Sequence, residues 1–172
     1  YFYSNTIIVK KNLLFFILFL LFGCQNILKK TNENVSISCP QVFFSSENNV
    51  YIQGDLDSLN LENIIYKAVL NNYSFVKGCF SNNESSYYLL DLLVLVEPIN
   101  PKDQNINLPI FVILYDKNNN VIDKQYFRIV DNLNYDEETS LYQITDVINK
   151  LRIYNQQNIE VDSLTVGFVK IK

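Results

Sequence analysis

The sequence predicts an all-β protein, an antiparallel β-sandwich of immunoglobulin-like or related type, behind an N-terminal signal helix and a short tether. Three observations carry this. Tyr87 to Val96 is a run of β-favouring and aliphatic residues in which Tyr88, Leu90, Leu92, Val94 and Val96 share one face, with Asp91 on the other. Residues 110–115 and 121–130 flank Asp116-Lys117-Asn118-Asn119-Asn120, which reads as a hairpin with a tip of strong turn formers. Near the start, the apolar run from Leu13 to Gly23 is roughly half the ~20 residues that a helix needs to cross a bilayer.

That short run predicts a cleaved leader. Lys10 and Lys11 precede it, and it ends in Leu21-Phe22-Gly23-Cys24, which resembles the lipobox read by the lipoprotein signal peptidase. Phe22 stands where a small residue is more usual. The expectation is a signal peptide over residues 1–23, lipidation of Cys24 and a polar tether over 24–38, with an ordinary cleaved signal or a short uncleaved anchor as the competing readings. The predicted location is the bacterial cell envelope, facing the periplasm, with acyl chains on Cys24 holding the chain to the membrane. Gln25, not Asp, follows Cys24, which favours the outer membrane over the inner. The chain contains no Met, so its first residues read as a fragment or an over-extended frame.

Residues 39–172 have the length of one domain with one core. Strands are predicted over 41–45, 50–53 and 63–80, the last divided near Asn71-Asn72. Residues 100–107 are the best candidate for an exposed loop, with Pro98 and Pro101 leading in and Pro109 just beyond. Segment 141–151 carries both patterns. Leu141, Ile144, Val147, Ile148 and Leu151 suit a helical face, while the Thr, Ile, Val and Tyr content suits a strand, and the β character of the rest tips the reading to strand. Residues 161–171 close the domain as a strand.

Three cysteines in an exported chain leave an odd one unless one is otherwise consumed. Lipidation of Cys24 leaves Cys39 and Cys79, which an oxidising compartment would pair. Two buried free thiols are the alternative. No metal site is predicted, because the chain has no His and no Cys-x-x-Cys pair.

Abundant Asn, Ile, Lys, Tyr and Phe fit an AT-rich coding sequence, and three Asn-x-Ser matches at Asn34, Asn72 and Asn83 follow from that abundance. The formal charge is −4, and removing Lys10 and Lys11 with the leader takes it to −6. That balance argues against nucleic acid and offers no polybasic membrane patch. Without His, neither a Ser-His-Asp nor a Cys-His arrangement can be built. Four glycines leave little room for a phosphate loop, so no cofactor is expected. Asp116-x-Asn118-x-Asn120 begins like a calcium loop, but Val121 stands where Gly is needed and no Glu closes it. Asp136-Glu137-Glu138 reads as a solvated loop, with a weak cation site as the alternative, and Asp55 and Asp57 as turn formers around Gly54, with an acid/base pair as the alternative. Tyr and Phe supply 24 residues, read first as core and cross-strand pairs and second as a surface patch for a partner.

Cys39-Pro40-Gln41-Val42, Gly78-Cys79, Pro109-Ile110-Phe111-Val112 with Asp116, Val121 to Phe127, and Val166-Gly167-Phe168 together resemble a family of small, functionally uncharacterised lipoproteins of alphaproteobacteria. This chain has Glu97-Pro98 where the family often has Gly-Pro, and Val169-Lys170 where Gln-Leu is usual. The resemblance implies the anchoring and the β-domain and brings no catalytic residue. The expected function is a non-enzymatic binding or envelope-structural module. The alternatives are a carboxylate-dependent envelope hydrolase and an accessory subunit of an envelope protein complex.

Overall fold

Alternating burial runs through most of the domain and, among the described residues, resolves into twelve strands. The computed structural model describes residues 34–54, 61–82, 84–101, 104–156 and 159–170, all within one compact unit spanning 33–172. In chain order the strands are Val35–Ile37 (β1), Gln41–Phe44 (β2), Val50–Gly54 (β3), Ile64–Ser74 (β4), Cys79–Ser81 (β5), Ser86–Pro98 (β6), Asn105–Tyr115 (β7), Val121–Asn132 (β8), Tyr135–Asp136 (β9), Leu141–Tyr142 (β10), Thr145–Asn155 (β11) and Ser163–Phe168 (β12). Helix is confined, among the described residues, to a single 3-10 turn at Leu61–Asn63.

The larger sheet is built on β6. Along one side β11 pairs with it from Ser86 to Val96, and along the other β4 and β5 share its length, with β3 beyond β4 and β1 beyond β5. The smaller sheet has the order β2-β12-β7-β8. All its pairings are antiparallel except β2 with β12, a departure from the purely antiparallel expectation. The two sheets pack as a sandwich, and one cluster of apolar side chains from both forms the core. Leu90, Leu92, Val94 and Val96 from β6 are fully buried, each contributing about 1.5–3 kcal/mol. They lie on the face that the period-2 pattern assigns.

Tyr66 ties the layers together. Buried on β4, its hydroxyl donates to the Asn107 carbonyl and accepts from the Asn107 N–H, at 3.1 and 3.0 Å. β12 stops at Phe168, opposite Ile110, and Val169 N–H then reaches the Pro109 carbonyl. Since N–H and C=O of one strand residue point the same way, Pro109 lacks its N–H where the β12 ladder has run out, which is why a proline is tolerated in a strand paired on both sides. The Tyr66 hydroxyl satisfies the next open position of that edge.

Several boundaries differ from the sequence reading. The segment 63–80 is two strands, but Asn71 marks only a bulge in β4. The break is the turn Phe75 to Gly78, closed by Gly78 N–H on the Phe75 carbonyl, with Gly78 at φ +80°. The loop expected over 100–107 ends by Gln104, because fully buried Ile106 continues the inward row of β7. Residues 35–37, placed in the tether, form an edge strand against Cys79–Ser81. Segment 141–151 is β throughout its regular parts, and the reason is period. Val147, Leu151 and Ile153 alternate inward, whereas Leu141, Ile144 and Ile148 of the would-be helical face are exposed. The C-terminal strand is shorter than 161–171, running from Ser163 to Phe168. The segment expected to be a signal helix, Cys24 and residues 25–33 lie outside the described residues.

Candidate functional site

Cys39 and Cys79 form a disulfide, with Cα atoms 5.3 Å apart. It staples the chain just after β1 to the start of β5, two strands already paired through Ile37 and Cys79. Cys79 in turn stands opposite Tyr88 on β6. This corner of the larger sheet borders a cleft of about 330 Å3 whose lining brings together Ser38, Ser81, Ser86, Tyr88 and Glu160, with Ile37 and Val161 as apolar walls.

Three hydroxyls of the cleft, those of Ser81, Ser86 and Tyr88, are linked in a chain. Ser86 Oγ donates to Ser81 Oγ at 3.1 Å, and Ser81 Oγ reaches the Asn82 carbonyl at 3.3 Å. The Tyr88 side chain is almost wholly buried. Burial pushes its phenol pKa up, the Ser86 and Asn155 side chains pull it down through hydrogen bonds, and the nearby Glu160 charge raises it again. The net shift is upward, so Tyr88 stays a neutral hydroxyl across physiological pH. Glu160 supplies the one charge of the lining. Such a site offers donors and acceptors to an uncharged or cationic hydroxylated molecule and repels anions.

A second cleft, of about 450 Å3, lies where β8 and β11 run side by side without a ladder, and Asp123, Gln125, Tyr154, Asn155 and Gln156 line it. Gln125 replaces a strand there. Its amide donates to the Tyr154 carbonyl and accepts from the Tyr154 N–H at 3.2 Å, while a further bond from Nε2 to Asp123 holds it at 2.8 Å. The second cleft is therefore a seam already closed by its own side chain.

A third feature is the outer face of the smaller sheet. Phe111 points outward from β7 yet is only 8% exposed, because its ring lies over Gly167, where a Cβ would come within 2.5 Å of the ring. Lys124 caps that ring at 5.0 Å and stands 5.3 Å from the ring of Tyr126. Around this stack, Phe43 is 53%, Tyr126 64% and Val130 67% exposed.

Among the described residues, the acids singled out from the sequence do not converge. Asp116 is spent on its own hairpin tip, accepting from the backbone N–H of Asn118 and Asn120 and from the Asn120 side chain, all within 2.9 Å. These bonds, led by the Asn120 side chain, lower its pKa. Asp136 does the same for the tight β9–β10 hairpin, through Thr139, Glu138 and Gln143. Asp55 and Asp57 lie outside the described residues. Among the described residues no three His, Cys, Asp or Glu side chains come together as metal ligands. Sequence reading missed Ser81, Ser86, Tyr88 and Glu160 as a group. They are common residue types; Ser81, Ser86 and Tyr88 lie close together on the paired strands β5 and β6, and only the return of the chain after β11 brings Glu160 to them.

Comparison of the chain with family models, with curated proteins and with solved structures gives no match.

Proposed function

We propose that this chain is an exported, lipid-anchored binding module that faces the periplasm and receives a small hydroxylated ligand in the cleft beside the disulfide. The observation that carries the reading is the cleft itself. It has the size of a small-molecule site, apolar walls and a few convergent polar groups, one of them a buried phenol with a displaced pKa. The Ser81 and Ser86 hydroxyls bond to each other and to the Asn82 carbonyl and not to the Glu160 carboxylate, which supports binding over nucleophilic chemistry. The Cys39–Cys79 bridge supports an oxidising compartment, and the leader resembling a lipobox supports anchoring through Cys24.

Two readouts on protein purified from bacterial membranes test this. Mass spectrometry of the N-terminal peptide is expected to find acyl groups on Cys24, and an unmodified Cys24 on a soluble chain would contradict anchoring. In detergent, a panel of neutral and cationic sugars and polyols is expected to include compounds that raise the melting temperature saturably. Tyr88→Phe or Ser86→Ala should remove that protection. No saturable ligand, or binding indifferent to both substitutions, would contradict the binding site.

A further inference from the structure

The outer face of the smaller sheet carries a charge pattern unlike the rest of this acidic chain. Alternation and register place Gln41, Phe43, Ser163, Thr165 and Gly167 on that face from β2 and β12. From β7 come the odd-numbered residues 105 to 115, and from β8 the even-numbered residues 124 to 132. No carboxylate is among them, and Lys124 and Arg128 are the charges. Both stand amid exposed apolar side chains. Phe43, Tyr126 and Val130 project from edge strands, and the Lys124 ammonium is held between the Phe111 and Tyr126 rings. The chain as a whole carries −4.

We infer that this face docks on the surface of an anionic lipid bilayer. Aromatic and branched side chains interleaved with cations suit a headgroup layer, where rings sit at the interface and ammonium and guanidinium groups meet lipid phosphates. A sheet face matches a flat partner, and the cleft beside the disulfide is lined by none of its residues. Two cations are too few to bring a free protein to a membrane. They are enough to orient one already tethered there, because a short tether makes docking an intramolecular event at high effective concentration. From Cys24 to Val35 the chain reaches at most about 40 Å when fully extended, so an anchored domain stays within reach of the bilayer. The inference thus rests on the anchoring proposed above.

The chain contains no Trp, which gives a clean reporter. Tyr126→Trp and, on the outer face of the larger sheet, Ile148→Trp each place a single indole at an exposed site. Lipidated full-length protein carrying either substitution is reconstituted in vesicles of brominated phosphatidylglycerol or brominated phosphatidylcholine. The expected result is strong quenching of the indole at 126 in phosphatidylglycerol, little in phosphatidylcholine, and little at 148 in either. Adding Lys124→Glu and Arg128→Glu should weaken the docked state at least about tenfold. Equal quenching at 126 and 148, or none at 126, would overturn the inference, as would the face proving to bind an acidic protein in place of lipid. Co-flotation with vesicles reads anchoring separately. A chain that floats without quenching at 126 refutes only the docking face, and a chain that fails to float refutes the anchoring on which it rests.

Discussion

The two outer faces of the sandwich are both rich in apolar side chains, yet they handle charge in opposite ways. On the larger sheet, cations face acids across the ladder: Lys150 of β11 stands opposite Asp91 of β6, and Lys67 of β4 opposite Glu97. On the smaller sheet Lys124 and Arg128 have Ile113 and Pro109 as cross-strand neighbours. One face is neutralised within itself, and the other keeps its positive charge for something outside. The lesson is that net charge, which argued against a membrane patch, averages over faces that register has sorted by sign.

The sheets are also held by different devices, and breaking each one sharpens the contrast. The largest effect is expected at the larger sheet, where replacing Cys39 and Cys79 by Ser removes a crosslink of sequence separation 40. In the chain-entropy model the loss is about 4 kcal/mol at its upper end. Urea unfolding of the variant, compared with wild type with and without reductant, measures it, and reductant should leave the variant unchanged.

On the smaller sheet the comparable device is the absence of a side chain. Gly167→Ala would place a Cβ 2.5 Å from the Phe111 ring and 3.1 Å from Asn48 Cβ. The ring must swing out from beneath Lys124, at a cost of about 1–3 kcal/mol. Urea unfolding should register that loss. Nearly unchanged stability would mean that the ring is not packed as described.

A smaller difference separates two charge reversals. Lys150→Glu sets a second carboxylate opposite Asp91 and should cost about 0.2–1 kcal/mol, an effect that salt reduces. Lys124→Glu creates no such cross-strand repulsion, since Ile113 faces it. Its stability should fall only by the lost contact with two rings, with little response to salt. Equal salt sensitivity of the two variants would erase the distinction between the faces.

The smallest effect is expected at the hairpin tip of the smaller sheet. Asp116 has a lowered pKa because its carboxylate accepts from the Asn120 side chain and from backbone N–H groups. Its contribution is therefore present above the ordinary aspartate range and lost as pH falls through the lowered value, below about pH 4. Asp116→Asn should flatten the acid limb of stability slightly, which NMR titration of the tip amides would detect.

Much of this architecture was legible because alternation is a local signal. Tyr88 to Val96 could be assigned to one face from the sequence alone, and Asp116 to Asn120 could be read as a hairpin tip. Boundaries failed where a tertiary partner decides. Pro109 marks a loop in isolation, but the end of β12 makes it a strand residue. Val35 to Ile37 is polar enough in context to pass for tether until Cys79–Ser81 pairs with it. The period of 141–151 was ambiguous over eleven residues and is resolved only by extending it to Asn155, where inward Ile153 continues the twofold repeat. The cleft was not legible, since nothing local joins Ser81 and Tyr88 to Glu160. The cationic face was half legible. Lys124, Tyr126, Arg128 and Val130 alternate visibly, but which residues flank them is a matter of sheet order.

The most direct test of the central claim reverses charge in pairs on the two faces of the anchored chain. Lys124→Glu with Arg128→Glu is compared with Lys67→Glu with Lys150→Glu. Each is reconstituted in vesicles that contain phosphatidylglycerol, and neutron reflectometry measures how far the domain stands from the bilayer. The pair on the smaller sheet should lift the domain away from the surface, as high salt should for the wild type, while the pair on the larger sheet should leave it seated. Equal displacement by both pairs, or by neither, would contradict the claim that one face of this sandwich is reserved for an anionic surface.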